Sequence, residues 1–150
     1  MTTIRPFERI LVGVNGTAGS EHALEVAISL AAGIHAQLIL LGVIAPLSAE
    51  TQAERFGLDE ATKARADLEE QVQSAERLAR EQGVDVVTEI IQGEPEKEIE
   101  RKSEEVSADL IVVGHRDIGR VRRWLEGSTS ETLVRNSAIS ILVVHDHHSL

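Results

Sequence analysis

Apolar positions along this chain fall into two alternating patterns. Short runs rich in β-branched residues are separated by longer stretches in which apolar residues return every three or four positions, as in strands that alternate with amphipathic helices. Ile10-Leu11-Val12-Gly13-Val14 is the first such run, stops at the turn dipeptide Asn15-Gly16 and predicts strand one. Between positions 20 and 32, Ala23, Leu24, Ala27, Leu30 and Ala31 keep helical spacing, with Ser20 placed as a cap and Gly33 as a stop. A second apolar run at 36–44 is closed by Pro46, and the polar stretch after it carries no readable pattern before about Leu58. Leu58, Ala61, Ala64, Leu68, Val72, Ala75 and Leu78 then form the stripe of helix two, which lasts until Gly83. Residues 84–91 read as a strand whose interspersed Asp85, Thr88 and Glu89 fit a sheet edge. Gly93-Glu94-Pro95 opens helix three, with proline and acidic residues in the turn that favours them, and the helix runs to about Val106. Leu110 to Gly114 predicts strand four, 127–135 a short fourth helix and 139–144 strand five.

Strands alternating with helices imply parallel crossover units, and near-continuous apolar strands imply a sheet covered on both faces. The expected fold class is therefore α/β, a doubly wound parallel sheet with helices on both faces. At about 100 to 200 residues per domain, the 150 residues make one domain, with no internal repeat or linker. In such sheets ligands bind beyond the carboxyl ends of the strands, where the strand order reverses. The segments after strands one and four are the ones to inspect.

Composition removes several classes of function. The formal net charge of −10 repels phosphate backbones and anionic lipid, so no nucleic acid or membrane partner is expected. The absence of cysteine excludes thiolate catalysis and Cys-based zinc sites, and two Phe with one Trp are too few for base-stacking platforms. With no apolar secretory stretch before Ile10, a soluble cytoplasmic protein is expected. The acidity is concentrated in the middle, where 17 acidic and 8 basic residues lie between Glu50 and Glu105. The sign reverses from His115 to Trp124, where Arg116, Arg120, Arg122 and Arg123 face only Asp117.

That basic stretch follows strand four, and it leads to Gly127-Ser128-Thr129-Ser130 at the start of the predicted fourth helix. Free backbone N–H groups at a helix start, a glycine that permits close approach and three hydroxyls can hold phosphate oxygens. After strand one, the glycines of Gly13-Val14-Asn15-Gly16 lack dinucleotide-site spacing, and no P-loop pattern occurs in the chain. His145, His147 and His148 read as a terminal tail rather than a metal site, Trp124 as a packing residue, and no nucleophile, base and orienting acid can be assembled.

Four segments together resemble the universal stress protein family. They are the stretch 10–23, the run Ala108-Asp109-Leu110-Ile111-Val112-Val113-Gly114, the Gly127-Ser128 helix start and the closing Ile141-Leu142-Val143-Val144. The resemblance spans essentially the whole chain and implies a five-stranded parallel sheet in the order 3-2-1-4-5, a homodimer and, in some members, bound ATP. ATP-binding members carry Gly, two residues, Gly, nine residues, then Gly and Ser or Thr. Gly114, Gly127 and Ser128 match that spacing, whereas Asp117 replaces the second glycine. By resemblance, the adenosine would lie against Gly13, Val14, Asn15, Val43 and Val113, and the phosphates against Gly114, Arg116, Asp117, Gly127, Ser128, Thr129 and Ser130. Asn15 stands where the family usually has aspartate, and its amide still bonds a ribose hydroxyl or an adenine edge. Asp117 tolerates a positive φ better than most residues but brings a carboxylate, which the nearby arginines or a bridging Mg2+ would offset.

The resemblance thus implies a cytoplasmic stress-response regulator that binds ATP or AMP, with or without Mg2+, and pairs with a second copy through its apolar, edge-lying fifth strand. It is read as a non-enzyme, with slow ATP hydrolysis at most and no catalytic residues. The alternative is a nucleotide-independent dimeric module whose acidic middle meets an unidentified protein partner.

Overall fold

In the computed structural model the described residues are 6–14, 18–44, 55–115 and 139–145. They form β1 (Arg9–Val14), α1 (Ala18–Ile34), β2 (Gln37–Ile44), α2 (Arg55–Glu81), β3 (Val86–Gln92), α3 (Pro95–Glu105), β4 (Leu110–Gly114) and β5 (Ser140–Val144). The five strands make one parallel sheet in the order β3-β2-β1-β4-β5. Fold class and strand order are therefore as expected. The predicted helix at 127–135 and Trp124 lie outside the described residues.

The sheet is aliphatic on both faces because alternate residues of each strand point to opposite sides. Ile10, Val12, Leu38, Leu40 and Val112 pack with α1 and α2, while Leu11, Ile39, Leu41, Ile111 and Val113 pack on the face that carries Ile99 and Val106. Ile10, Leu11 and Val12 of the central strand are fully buried, each contributing about 1.5–3 kcal/mol relative to exposure. Edge strand β3 carries the expected polar residues. Its Glu89 meets the Lys102 ammonium of α3, whose side chain is only 10% exposed. The hydrogen bond to Glu89 is the main reason Lys102 titrates above its ordinary value of 10.5; burial opposes that rise, and the charges of Glu89 and Glu105 add to it.

The helix ends differ from the sequence reading in an instructive way. α1 begins at Ala18, so Ser20 falls inside its first turn, and it runs through Gly33 to stop at His35. His35, Gly83 and Ser107 have φ of 58°, 77° and 55°, the left-handed region. Each is followed by a residue whose N–H reaches back to the helix: Ala36 to Ala31 at 3.0 Å, Val84 to Ala79 at 2.9 Å and Ala108 to Ser103 at 2.9 Å. All three ends are thus Schellman-type stops sealed by a buried Ala36, Val84 or Ala108. Only one uses glycine: the stop read at Gly33 gives way to His35, whereas α3 ends at Glu105, beside the expected Val106. The stripe of α2 is also shifted. Leu68, Val72, Ala75 and Ala79 are buried, whereas Ala64 and Leu78 are exposed. Leu58 and Ala61 lie where side chains are not described.

A carboxylate fixes the start of the central seam. Asp109 accepts hydrogen bonds from the N–H groups of Glu8 at 2.8 Å and Arg9 at 3.0 Å, while its own N–H donates to the Arg9 carbonyl at 3.0 Å. From there β1 and β4 pair as Ile10–Leu110, Leu11–Ile111 and Val12–Val112.

Two outcomes follow in urea denaturation. Asp109→Ala should destabilise the fold by about 2 kcal/mol, the scale of hydrogen bonds to a charged acceptor; an unchanged midpoint would show that the seam does not need its carboxylate. Ser107→Gly should stabilise by up to about 1 kcal/mol and Gly83→Ala destabilise by about 1–2 kcal/mol, because only glycine enters the left-handed region without a Cβ penalty. A loss of stability in Ser107→Gly, or none in Gly83→Ala, would refute the role given to these stops.

Candidate functional site

The β1–β4 seam closes at one end and opens at the other. Its pairing stops at Val12–Val112, yet β1 continues against β2 through Val14–Gly42, and β4 continues against β5 through Gly114–Val144. At their carboxyl ends the two central strands therefore bond only to their outer neighbours. This release falls where the strand order turns, between β3-β2-β1 on one side and β4-β5 on the other, the position at which open α/β sheets take ligands.

Five of the residues implied by the resemblance lie at or near this opening. Gly13 and Val14 end β1, Val113 and Gly114 end β4, and Val43 is one residue from the end of β2. Val43 and Val113 belong to the cluster on the α3 side and are 8% and 6% exposed. Val14 belongs to the opposite cluster at 2% exposure, so the core occupies its side chain and its backbone is what borders the opening. Asn15, Arg116, Asp117, Gly127, Ser128, Thr129 and Ser130 lie outside the described residues.

Gly13 has a structural reason of its own. A Cβ there would stand 3.3 Å from Cδ1 of Ile99, so the missing side chain lets α3 lie close over the end of β1. Gly42 has a matching reason on the other face, where a Cβ would meet Ile90 and Leu68 at 3.3 Å each. Sequence reading singled out Gly13 and passed over Gly42, because nothing local distinguishes a glycine that clears room for a helix from one in a turn.

Beyond the strands, His115 and His145 stack with ring centroids 5.2 Å apart and an interplanar angle of 23°. In sequence His145 looked like the start of a tail. The register that sets Gly114 opposite Val144 carries the next two residues side by side, a signal available only once β4 and β5 are known to pair. Among the described residues no group of three His, Cys, Asp or Glu side chains could hold a metal ion. No helix among them is long and apolar enough to cross a membrane.

Comparison with known proteins agrees with this architecture. A family model described as the universal stress protein family matches residues 6–145. A Staphylococcus aureus (strain USA300) relative carrying the universal stress protein name is 31% identical over 140 residues, covering 92% of this chain and 84% of its own. A universal stress protein solved in complex with cAMP is 28% identical with a TM-score of 0.63, covering 93% of this chain and 97% of the other. A family protein from Burkholderia pseudomallei shares the fold with a TM-score of 0.65 at 24% identity, over 91% of this chain and 95% of the other.

Gly13→Ala should cost about 1 kcal/mol, the low end of overpacking, and Ile99→Val, which removes the Cδ1 atom that the new methyl would press, should recover most of that cost in the double variant. A double-mutant cycle by urea denaturation measures the coupling; strictly additive effects would show that the two residues do not share this space.

Proposed function

The chain belongs to the universal stress protein family, and from that premise we propose that it binds an adenine nucleotide at the opening between the carboxyl ends of β1 and β4. The observation that carries this reading is the release of β1 from β4 beyond Val12–Val112. It leaves the backbone ends at Gly13, Val14, Val113 and Gly114 free of one another, beside the apolar wall of Val43 and Val113. A flat adenine fits such a wall, and backbone N–H and C=O groups at strand ends supply its polar contacts. The cAMP held by the 28%-identical structure supports the choice of an adenine nucleotide.

In this reading the phosphates meet the segment that follows Gly114. Its arginines, including Arg116, supply positive charge, and Gly127, Ser128, Thr129 and Ser130 supply N–H and hydroxyl donors. Asp117 sets the preference among nucleotides. A carboxylate in the place of the family's second glycine opposes the triphosphate of ATP more than the single phosphate of AMP, unless Mg2+ bridges the carboxylate and the phosphate. ATP and AMP are the proposed ligands, and nucleotide occupancy is read as a regulatory signal in the cytoplasm rather than as a step of catalysis.

Mass spectrometry of the denatured, freshly purified protein should reveal an adenine nucleotide, and calorimetric titration should give saturable binding. Asp117→Gly should tighten ATP binding by about fivefold to tenfold with magnesium and with chelator alike, the order of one screened like-charge contact. Weaker binding of the variant only in magnesium would assign Asp117 to the ion instead. No binding of ATP, AMP or cAMP to either protein would overturn the reading.

We further propose that two copies pair along β5. This strand is a sheet edge, and its Ile141, Leu142 and Val143 are only half-buried, a combination that invites pairing. Light scattering at micromolar concentration should return twice the chain mass; the mass of one chain would remove this interface.

A further inference from the structure

The helical face formed by α1 and α2 carries a groove of about 330 Å³ that no part of the nucleotide reading uses. Glu21 and Glu25 rim it on α1, and Asp67 and Glu70 rim it on α2. Several carboxylates elsewhere on the helices pair within their own helix: Glu69 with Arg65, Glu76 with Arg80, and both Glu98 and Glu105 with Arg101. At the rim such pairing is scarce, and four carboxylates share one groove. Glu25 has His22 at 3.7 Å, and among the described residues Glu21, Asp67 and Glu70 have no cationic side chain within 4.0 Å. Arg77 touches the groove only through Ser74, to which it donates at 3.3 Å.

Two further features lie between the acidic rims. Leu78, 40% exposed, lines the groove together with the buried Leu24 and Ile28, so part of its lining is apolar. Gln71 also lines the groove, and its Oε1 is buried without a hydrogen-bond donor among the described residues. An acceptor in that condition carries an unmet cost. Facing carboxylates and an exposed leucine together call for an occupant that is positively charged and apolar along one side.

We propose that the α1–α2 groove docks a cationic amphipathic helix of a partner protein. The groove follows α2 from Asp67 to Leu78, about three turns at 1.5 Å per residue. A third helix packs between two others through interdigitating side chains, whereas an extended segment would find no strand edge there to bond. The acidic rim repels nucleic acid and anionic lipid. A small polyamine would meet the carboxylates but leave Leu78 uncovered. The proposal stands independently of nucleotide binding at the strand ends.

The test uses the full chain and a fluorescent synthetic helix of about eighteen residues, with leucines along one face and lysines on both flanks, followed by anisotropy at physiological salt. The parent protein should bind it saturably. The groove variant Glu21→Gln, Asp67→Asn, Glu70→Gln should bind at least about tenfold more weakly. A control with the same change in charge, Glu81→Gln, Glu94→Gln, Glu104→Gln, should lose less than about twofold, the modest effect of distant screened charges. Leu78→Ser should also weaken binding. Thermal unfolding guards against trivial loss, since removing facing like charges should leave the groove variant at least as stable as the parent. Equal loss in the control, no effect of Leu78→Ser, or no binding by the parent would overturn the proposal. A fall in the particle mass of the groove variant would also do so, because the groove would then belong to a second copy of the chain.

Discussion

The seam between β1 and β4 is the constraint on which the rest of this structure depends. Through β3 the chain builds its sheet in one direction, and it must then return across the starting strand to build in the other. Right-handed crossovers oblige the helices of the two halves to lie on opposite faces, which explains why α1 and α2 share one face while the Ile99 side of α3 covers the other. Asp109 pins the seam at its start and three residue pairs zip it. Past Val12 and Val112 each central strand keeps only its outer partner, so the opening proposed for a nucleotide is the unzipped remainder of the same seam. Stability and the proposed site are two ends of one contact.

The two faces of the sheet are joined to their helices by different means. On the α1–α2 face the contact is aliphatic, with Ala23, Ala27 and Ala31 of α1 and Leu68, Val72, Ala75 and Ala79 of α2 packed on Ile10, Val12, Leu38 and Leu40. Small residues on α1 let that helix approach the central strands closely. On the other face the contact of α3 combines apolar packing with an ion pair. Ile99 lies over the space left by Gly13, and Lys102 reaches Glu89 at the sheet edge. An ion pair that is half-solvated at Glu89 contributes modestly to stability but fixes where the helix sits along β3.

Charge is distributed to match this division. Most of the negative charge lies in the segment containing α2, β3 and α3, and the residues that follow Gly114 reverse the sign. An acidic body repels anions at long range, so an anionic ligand at the strand ends would rely on that local basic segment. The groove beside Leu78 keeps its acidity with few cations among the described residues. Acidic body and basic segment are thus segregated along one chain.

The sequence by itself determined the alternation of strands and helices and the burial of the sheet on both faces. Those properties are local: period-two and near-continuous apolar runs differ from a period near 3.6 within a few residues. It also placed Gly13, Val14, Val113 and Gly114 at strand ends, since Asn15-Gly16 ends one apolar run and the polar residues after Gly114 end the other. What it left undecided depends on neighbours distant in the chain. The stop of α1 is His35 rather than Gly33, and its left-handed turn is sealed by Ala36 folding back into the core. Ala79 rather than Leu78 completes the buried stripe of α2 because the helix's rotation against the sheet, which periodicity alone leaves free by one position, is set by packing on β2 and β3. The role of Asp109 emerges only when β1 lies beside it, and His115 meets His145 only through the register of β4 and β5. A side chain's own neighbours in sequence fix its backbone, whereas its partner is whichever residue the sheet brings alongside, and that choice is made by the topology of the whole chain.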